Sequence, residues 1–100
     1  QIGIMRRLLQ GSERHLLAYL IQPEFLGQGY AAEAARRVLD YGFQTLGIQK
    51  VEALIRPINT PSIRLAERLG MCRGACLVHH GYEHYVYTLT RPPGNGIVSA

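Results

Sequence analysis

The sequence has only two cysteines and no long apolar run. Cys72 and Cys76 cannot form a disulfide framework, and we expect both thiols to be reduced. No apolar stretch approaches the length that spans a bilayer, and no basic segment followed by an apolar one marks a signal peptide. These absences predict a cytoplasmic protein without a membrane partner.

Lysine is also nearly absent, although the net charge is +4. Of the 11 basic residues, Lys50 is the one lysine, and the arginines are scattered along the chain. A nucleic-acid partner would require a basic stripe with interleaved aromatic residues, which the sequence lacks. Most of the arginines are therefore expected on a solvated surface, with some attraction for an anionic ligand such as a phosphorylated cofactor.

The remaining composition is that of a small globular domain. Hydrophobic residues make up 47% of the 100 residues and charged residues 18%. We expect one domain over residues 1–90 and a flexible tail over residues 91–100, which is rich in proline and glycine. The chain starts at Gln1 with a strand-like run and no initiator methionine, so we expect a fragment or a processed product.

Hydrophobic periodicity predicts an α/β fold with a mixed sheet and helices packed on it. The predicted order is strand, strand, helix, strand, helix and then one or two strands. The predicted strands cover residues 1–9, 15–21, 51–55 and 82–89, with a turn over residues 10–13. The predicted helices cover residues 31–46 and 60–69, with Asn59 as the N-cap of the second.

A glycine-containing loop, Gly27-Gln28-Gly29, joins the second strand to the first helix. Its amides and the unpaired N–H groups of the first helical turn form a site suited to a pyrophosphate. The loop is not a P-loop, because the lysine and the hydroxyl of that motif are absent, and it lacks the third glycine of the dinucleotide fingerprint. Simple turn formation by the two glycines is the alternative, and the loop alone does not decide between them.

Two blocks of sequence together resemble a known family. The first is Gly27-Gln28-Gly29-Tyr30-Ala31 with the helix that follows it, and the second combines Asn59-Thr60-Pro61-Ser62-Ile63 with Leu69-Gly70. In this order and spacing they resemble the GNAT N-acetyltransferase superfamily, and most closely the branch that acetylates the N-termini of ribosomal proteins. The resemblance covers residues 1–89, and we expect the family's first strand and first two helices to be missing.

The resemblance implies acetyl-CoA as the co-substrate and a primary amine as the acceptor, either a protein N-terminus or a small molecule, with no metal. Backbone groups at the end of the second strand would bind the pantetheine arm, the loop amides would bind the pyrophosphate, and Ser62 would assist the departing thiolate. The implied cofactor-binding residues are Leu20, Ile21, Leu26, Gly27, Gln28, Gly29, Tyr30, Ala31, Asn59 and Ser62.

The acid or base of the reaction is less clear from the sequence. Besides Ser62, the implied catalytic residues are Glu83 and Tyr85 on the last strand, which borders the acceptor site in the family. Because side chains alternate along a strand, only every second residue of that strand can face the site, and the sequence does not show which set does so.

Some positions depart from the family pattern. Leu16 and Ala66 stand where many members have a glutamate and a tyrosine. The alternative function is therefore a non-catalytic acyl-CoA-binding or interaction module of the same fold.

Two further expectations concern metal and assembly. The cluster of Cys72, Cys76, His79, His80 and His84 contains zinc-ligand types, but its spacing fits no common zinc pattern, so we predict no metal site. An exposed sheet edge would favour a homodimer.

Overall fold

The structure is a computed structural model that describes residues 2–19 and 29–92. Five strands and two helices lie within these residues, and their order confirms the predicted α/β class. The elements are β1 (Ile2–Leu9), β2 (Ser12–Tyr19), α1 (Gly29–Gln44), β3 (Lys50–Ile55), α2 (Thr60–Arg68), β4 (Cys72–His79) and β5 (Tyr82–Thr90).

The strands form one mixed sheet in the order β1-β2-β3-β5-β4. Strands β2 and β3 are parallel, and the other neighbouring strands are antiparallel. Among the described strands, β1 and β4 are therefore the edges. The carboxyl ends of β2 and β3 point the same way at the centre of the sheet, and this arrangement positions the site described below.

Two hairpins close with the same kind of two-residue turn. Gln10 and Gly11 have φ of 49° and 78°, and His80 and Gly81 have φ of 53° and 81°. Positive φ at both central residues is the type I′ geometry, which matches the twist of the flanking strands. The predicted turn over residues 10–13 was too long, because Ser12 and Glu13 already pair with Leu9 and Leu8 of β1.

Helix α1 begins two residues earlier than predicted, at Gly29, and ends two residues earlier, at Gln44. Beyond its end, the amides of Thr45 and Leu46 both donate to the carbonyl of Tyr41, and Gly47 reverses the chain with φ of 71°. A left-handed glycine is a common helix stop, because a side chain at that position would be strained.

Both helices pack on one face of the sheet, and the core lies beneath them. Leu17, Val51 and Ala53 of the sheet belong to one buried cluster with Ala31, Ala35, Leu39 and Phe43 of α1 and Leu65, Ala66 and Leu69 of α2. Ala66 is 2% exposed and fills this core.

The opposite face of the sheet carries no helix within the described residues, and we call it the open face. Strand alternation places Met5, Leu16, Glu52 and His84 there, since their sequence neighbours Ile4, Leu17, Val51, Ala53 and Tyr85 pack in or against the core cluster. Glu52 is buried on the open face and forms an ion pair with Arg14, with N and O 3.5 Å apart. None of the described helices has the length and apolar character required to cross a membrane.

Candidate functional site

A groove opens where the two parallel strands separate. Within the described residues, β2 and β3 pair only at Leu16 and Glu52. Beyond this pair the strands continue to Tyr19 and Ile55 without another paired position. The groove is lined by Leu16, Leu17, Ala18, Ala53, Leu54, Ile55, Met5, Asn59, Ser62, His79 and His84.

The separation matters because backbone groups within a sheet normally pair with a neighbouring strand. At the carboxyl ends of β2 and β3, backbone N–H and C=O groups that would face each other across a ladder instead border the groove. An extended ligand with amide groups of its own can pair with such groups as an added strand does. The groove is therefore suited to a long, thin, amide-containing ligand.

The N-terminus of α2 reaches this groove. The Asn59 side chain accepts a hydrogen bond from the Ser62 amide at 3.3 Å, which confirms the predicted N-cap. Pro61 lies in the first turn, where its missing N–H is tolerated. The cap places Ser62, which is 4% exposed, at the groove together with Asn59.

The start of α1 carries the second part of the site. Gly29 opens the helix, so the amides of Gly29, Tyr30 and Ala31 belong to the first turn, where N–H groups have no intrahelical partner. The Arg68 side chain lies beside this turn, since a Cβ atom on Gly29 would be 3.4 Å from its Nη2. Arg36 of α1 donates to the Arg68 carbonyl at 3.0 Å and ties the two helices together.

A guanidinium next to the first turn of a 16-residue helix makes a favourable position for an anion. The sequence reasoning missed Arg68. Arg68 directly precedes Leu69-Gly70 of the second sequence block, but only the packing of α2 against α1 brings its side chain close to Gly29.

Several predicted cofactor-binding residues lie outside the described residues, namely Leu20, Ile21, Leu26, Gly27 and Gln28. Among the others, Ala31 is fully buried in the core, so only its backbone could reach a ligand. Asn59 and Ser62 come together at the groove, as described above.

Strand β5 carries the predicted catalytic residues Glu83 and Tyr85, and neither is among the described residues that line the groove. Tyr85 pairs with Ile55 and packs against the core on the helix-covered face, where the Arg73 guanidinium lies 4.6 Å from its ring centre. Glu83 has the same parity and is exposed. His84, between them, lines the groove from the open face. Sequence reasoning weighed His84 only as a possible zinc ligand.

His84 belongs to a cluster of three histidines at the β4–β5 turn. The ring centre of His79 lies 4.0 Å from that of His80 and 5.7 Å from that of His84. Burial lowers the pKa of His79 below its ordinary value, and the charges of His80, His84 and Arg7 lower it further. Within residues 2–19 and 29–92, no three His, Cys, Asp or Glu residues are arranged to hold a metal ion.

Comparisons with known proteins identify the family to which this fold belongs. The family model for the acetyltransferase (GNAT) domain matches residues 2–72. The chain belongs to the GNAT acetyltransferase family, as the two sequence blocks predicted.

Individual relatives agree with this assignment. The chain is 42% identical over 71 residues to the uncharacterized protein YkkB of Bacillus subtilis, covering 71% of this chain and 41% of that protein. It is 33% identical over 68 residues to the spermidine N(1)-acetyltransferase of Escherichia coli K12, covering 68% of this chain and 37% of that enzyme. The structure of a GNAT-family acetyltransferase from Bacillus anthracis superposes with a TM-score of 0.72 at 30% identity, covering 90% of this chain and 58% of that one.

The chain spans well under half the length of these curated relatives, 41% and 37%. The match to the family model over residues 2–72 contains the α1 start, the separated strands and the α2 cap.

Proposed function

We propose that this chain forms the acetyl-CoA-binding part of an N-acetyltransferase that moves an acetyl group to a primary amine. The observation that carries the proposal is the groove between β2 and β3, with Asn59 and Ser62 at its side. The pantetheine arm of coenzyme A is thin, extended and contains two amides, so it matches the shape and the hydrogen-bonding groups of this groove.

The charge distribution supports one orientation of the cofactor, with its pantetheine arm in the groove and its pyrophosphate at the start of α1. The α1 start and Arg68 favour the pyrophosphate, and the groove receives the pantetheine arm. In this orientation the thioester lies near Ser62, and we assign the Ser62 hydroxyl the role of protonating or hydrogen-bonding the departing thiolate. The chemistry requires a neutral amine, a held thioester and a proton acceptor.

The acceptor is a protein N-terminus or a small amine. The E. coli relative is a spermidine N(1)-acetyltransferase. However, the described residues that line the groove include no carboxylate to bind a polyamine. A peptide N-terminus, which carries a single positive charge, fits these lining residues better.

The direct test measures release of the coenzyme A thiol by the full-length natural protein. Acetyl-CoA is supplied with peptides of different N-terminal residues, with polyamines and with simple primary amines. Amine-dependent thiol release with an N-acetylated product is the expected result. Acetyl-CoA binding without turnover on any amine would favour the non-catalytic module, and absence of binding would contradict both.

Arg68 provides a prediction about cofactor binding. Because a charged hydrogen bond contributes about 1.5–3 kcal/mol, and Arg68 is solvent-exposed, we expect Arg68→Gln to weaken acetyl-CoA binding by about tenfold. Isothermal titration at low and high salt checks this, and salt should shrink the difference.

Arg6→Gln is the matched control, since it removes the same charge from an exposed residue of β1 that pairs with Glu13 and is not among the described groove residues. Equal losses in the two variants would mean that Arg68 acts only through net charge.

A further inference from the structure

The family assignment leaves the proton acceptor unassigned, and the described groove restricts the choice. Its lining residues include no aspartate, glutamate, lysine or cysteine. Only His79 and His84, among the described lining residues, carry side chains that exchange protons near neutral pH. The candidates Glu83 and Tyr85 have the opposite parity to His84 on β5 and are not among the described residues that line the groove.

The hydrogen bond of His84 determines which ring nitrogen is free. Its Nδ1 lies 2.9 Å from the carbonyl oxygen of Tyr82. A carbonyl oxygen can only accept, so Nδ1 carries the hydrogen and donates it. In the neutral ring, Nε2 then has an unprotonated lone pair. A histidine oriented by a backbone carbonyl through one nitrogen is ready to act as a base through the other.

We propose that His84 is the general base of the transfer and that its Nε2 takes the proton of the acceptor amine. The inference rests on the proposed N-acetyltransferase function. It depends on one juxtaposition: His84 lines the same groove as Asn59 and Ser62, where the thioester would lie. The base, the leaving-group residue and the cofactor groove therefore meet at one place on the sheet.

The proton and electron balance of the step is simple. The lone pair of the neutral acceptor amine attacks the thioester carbonyl carbon. As the C–N bond forms, Nε2 of His84 removes one proton from that nitrogen, directly or through one water, and becomes imidazolium. The C–S bond breaks with its electron pair on sulfur, the thiolate takes one proton from solvent, and His84 returns its proton to solvent, so no net proton is consumed.

The surroundings of His84 are mainly basic. The ring centre of His79 on β4 lies 5.7 Å from that of His84, and His80 follows in the turn. Arg7 of β1 is near enough to influence His79, and Arg56 lies over the Tyr82 ring at 4.0 Å. Burial lowers the pKa of His79, and the charges of His80, His84 and Arg7 lower it further.

The experiment compares the full-length wild-type protein with His84→Asn, using the best acceptor amine. The asparagine amide can still donate to the Tyr82 carbonyl but has no basic nitrogen. We measure kcat/KM from about pH 5.5 to about pH 8.5, across the histidine range. The ratio of the two profiles cancels the titration of the amine itself and isolates the enzyme group.

The ratio of wild-type kcat/KM to that of His84→Asn is expected to be about 100 at the highest pH. It falls toward one as the pH drops, because the wild-type imidazole is then protonated and cannot act as a base. The dissociation constant for acetyl-CoA should not change. In His84→Ala, added imidazole is expected to restore part of the rate, which keeps the test decisive if the asparagine variant folds poorly. His80→Asn is the control, since His80 is exposed in the turn and asparagine tolerates its φ of 53°.

A ratio that does not change with pH, or no loss of rate, would overturn the assignment of His84 while leaving the acetyltransferase function intact. If the wild-type protein releases no thiol with any amine, the proposed function fails and the assignment fails with it.

Discussion

Replacing Ala18 with phenylalanine is expected to lower the affinity for acetyl-CoA by at least about 100-fold. Ala18 lies on β2 at the groove, opposite Gly3 of β1. A ring at this position projects into the space between the separated strands, and a pantetheine arm cannot occupy the same volume. The fold should survive, because Ala18 is only half-buried and a Cβ on Gly3 would have no atom within 4 Å.

The measurement is acetyl-CoA titration of the full-length protein by calorimetry. Ala75→Phe is the matched control, since Ala75 is exposed on β4 outside the groove and undergoes the same change of side chain. We expect the control to bind as the wild type does. Wild-type affinity in Ala18→Phe would show that the cofactor does not use this groove, and the proposed function would lose its main support.

The second large effect concerns the core beneath α1. Leu39 is 2% exposed and belongs to the buried cluster that joins both helices to the sheet. Leu39→Ala removes this packing and leaves a cavity, so we expect a loss of about 3 kcal/mol in the free energy of unfolding. Urea titration followed by circular dichroism should show a lower midpoint with little change in slope.

Leu46→Ala is the control for this prediction. Leu46 lies just beyond the same helix and is 58% exposed, so the same truncation should cost less than about 0.5 kcal/mol. Equal effects at the two positions would mean that α1 does not pack as described. A loss in Leu39→Ala that disappears with saturating acetyl-CoA would instead show that the cofactor supports the helix.

Much of the fold was predictable because local patterns carry it. Leu39 and Phe43 are apolar residues at helical spacing, and Asn59 followed by Pro61 indicates the start of α2. The β4 strand was less visible, because most of its residues are exposed and an edge strand has no clear alternation. The Gln10-Gly11 and His80-Gly81 pairs are a sequence signal for hairpin turns, since each closes a hairpin with positive φ at both residues.

The candidate site was predictable where backbone and helix termini form it. Gly29 as a helix start and Asn59 as a cap are local features of the sequence, whereas Ser62 was assigned to the site through the family resemblance. Arg68 and His84 could not be predicted as site residues from the sequence. Arg68 depends on how α2 packs against α1, and His84 depends on which face of β5 the helices cover.

The sequence by itself determined the order of strands and helices and the N-cap of α2. These follow from hydrophobic period, glycine placement and capping, all of which act over a few residues. The family was indicated by the resemblance of two sequence blocks. Only the tertiary structure decided that β2 and β3 separate after one pair and that His84, not Glu83 or Tyr85, lines the opening. The reason is geometric. Alternation divides the side chains of a strand into two sets, but only the packing of the helices shows which set is covered. A groove likewise forms only between elements that are distant in sequence.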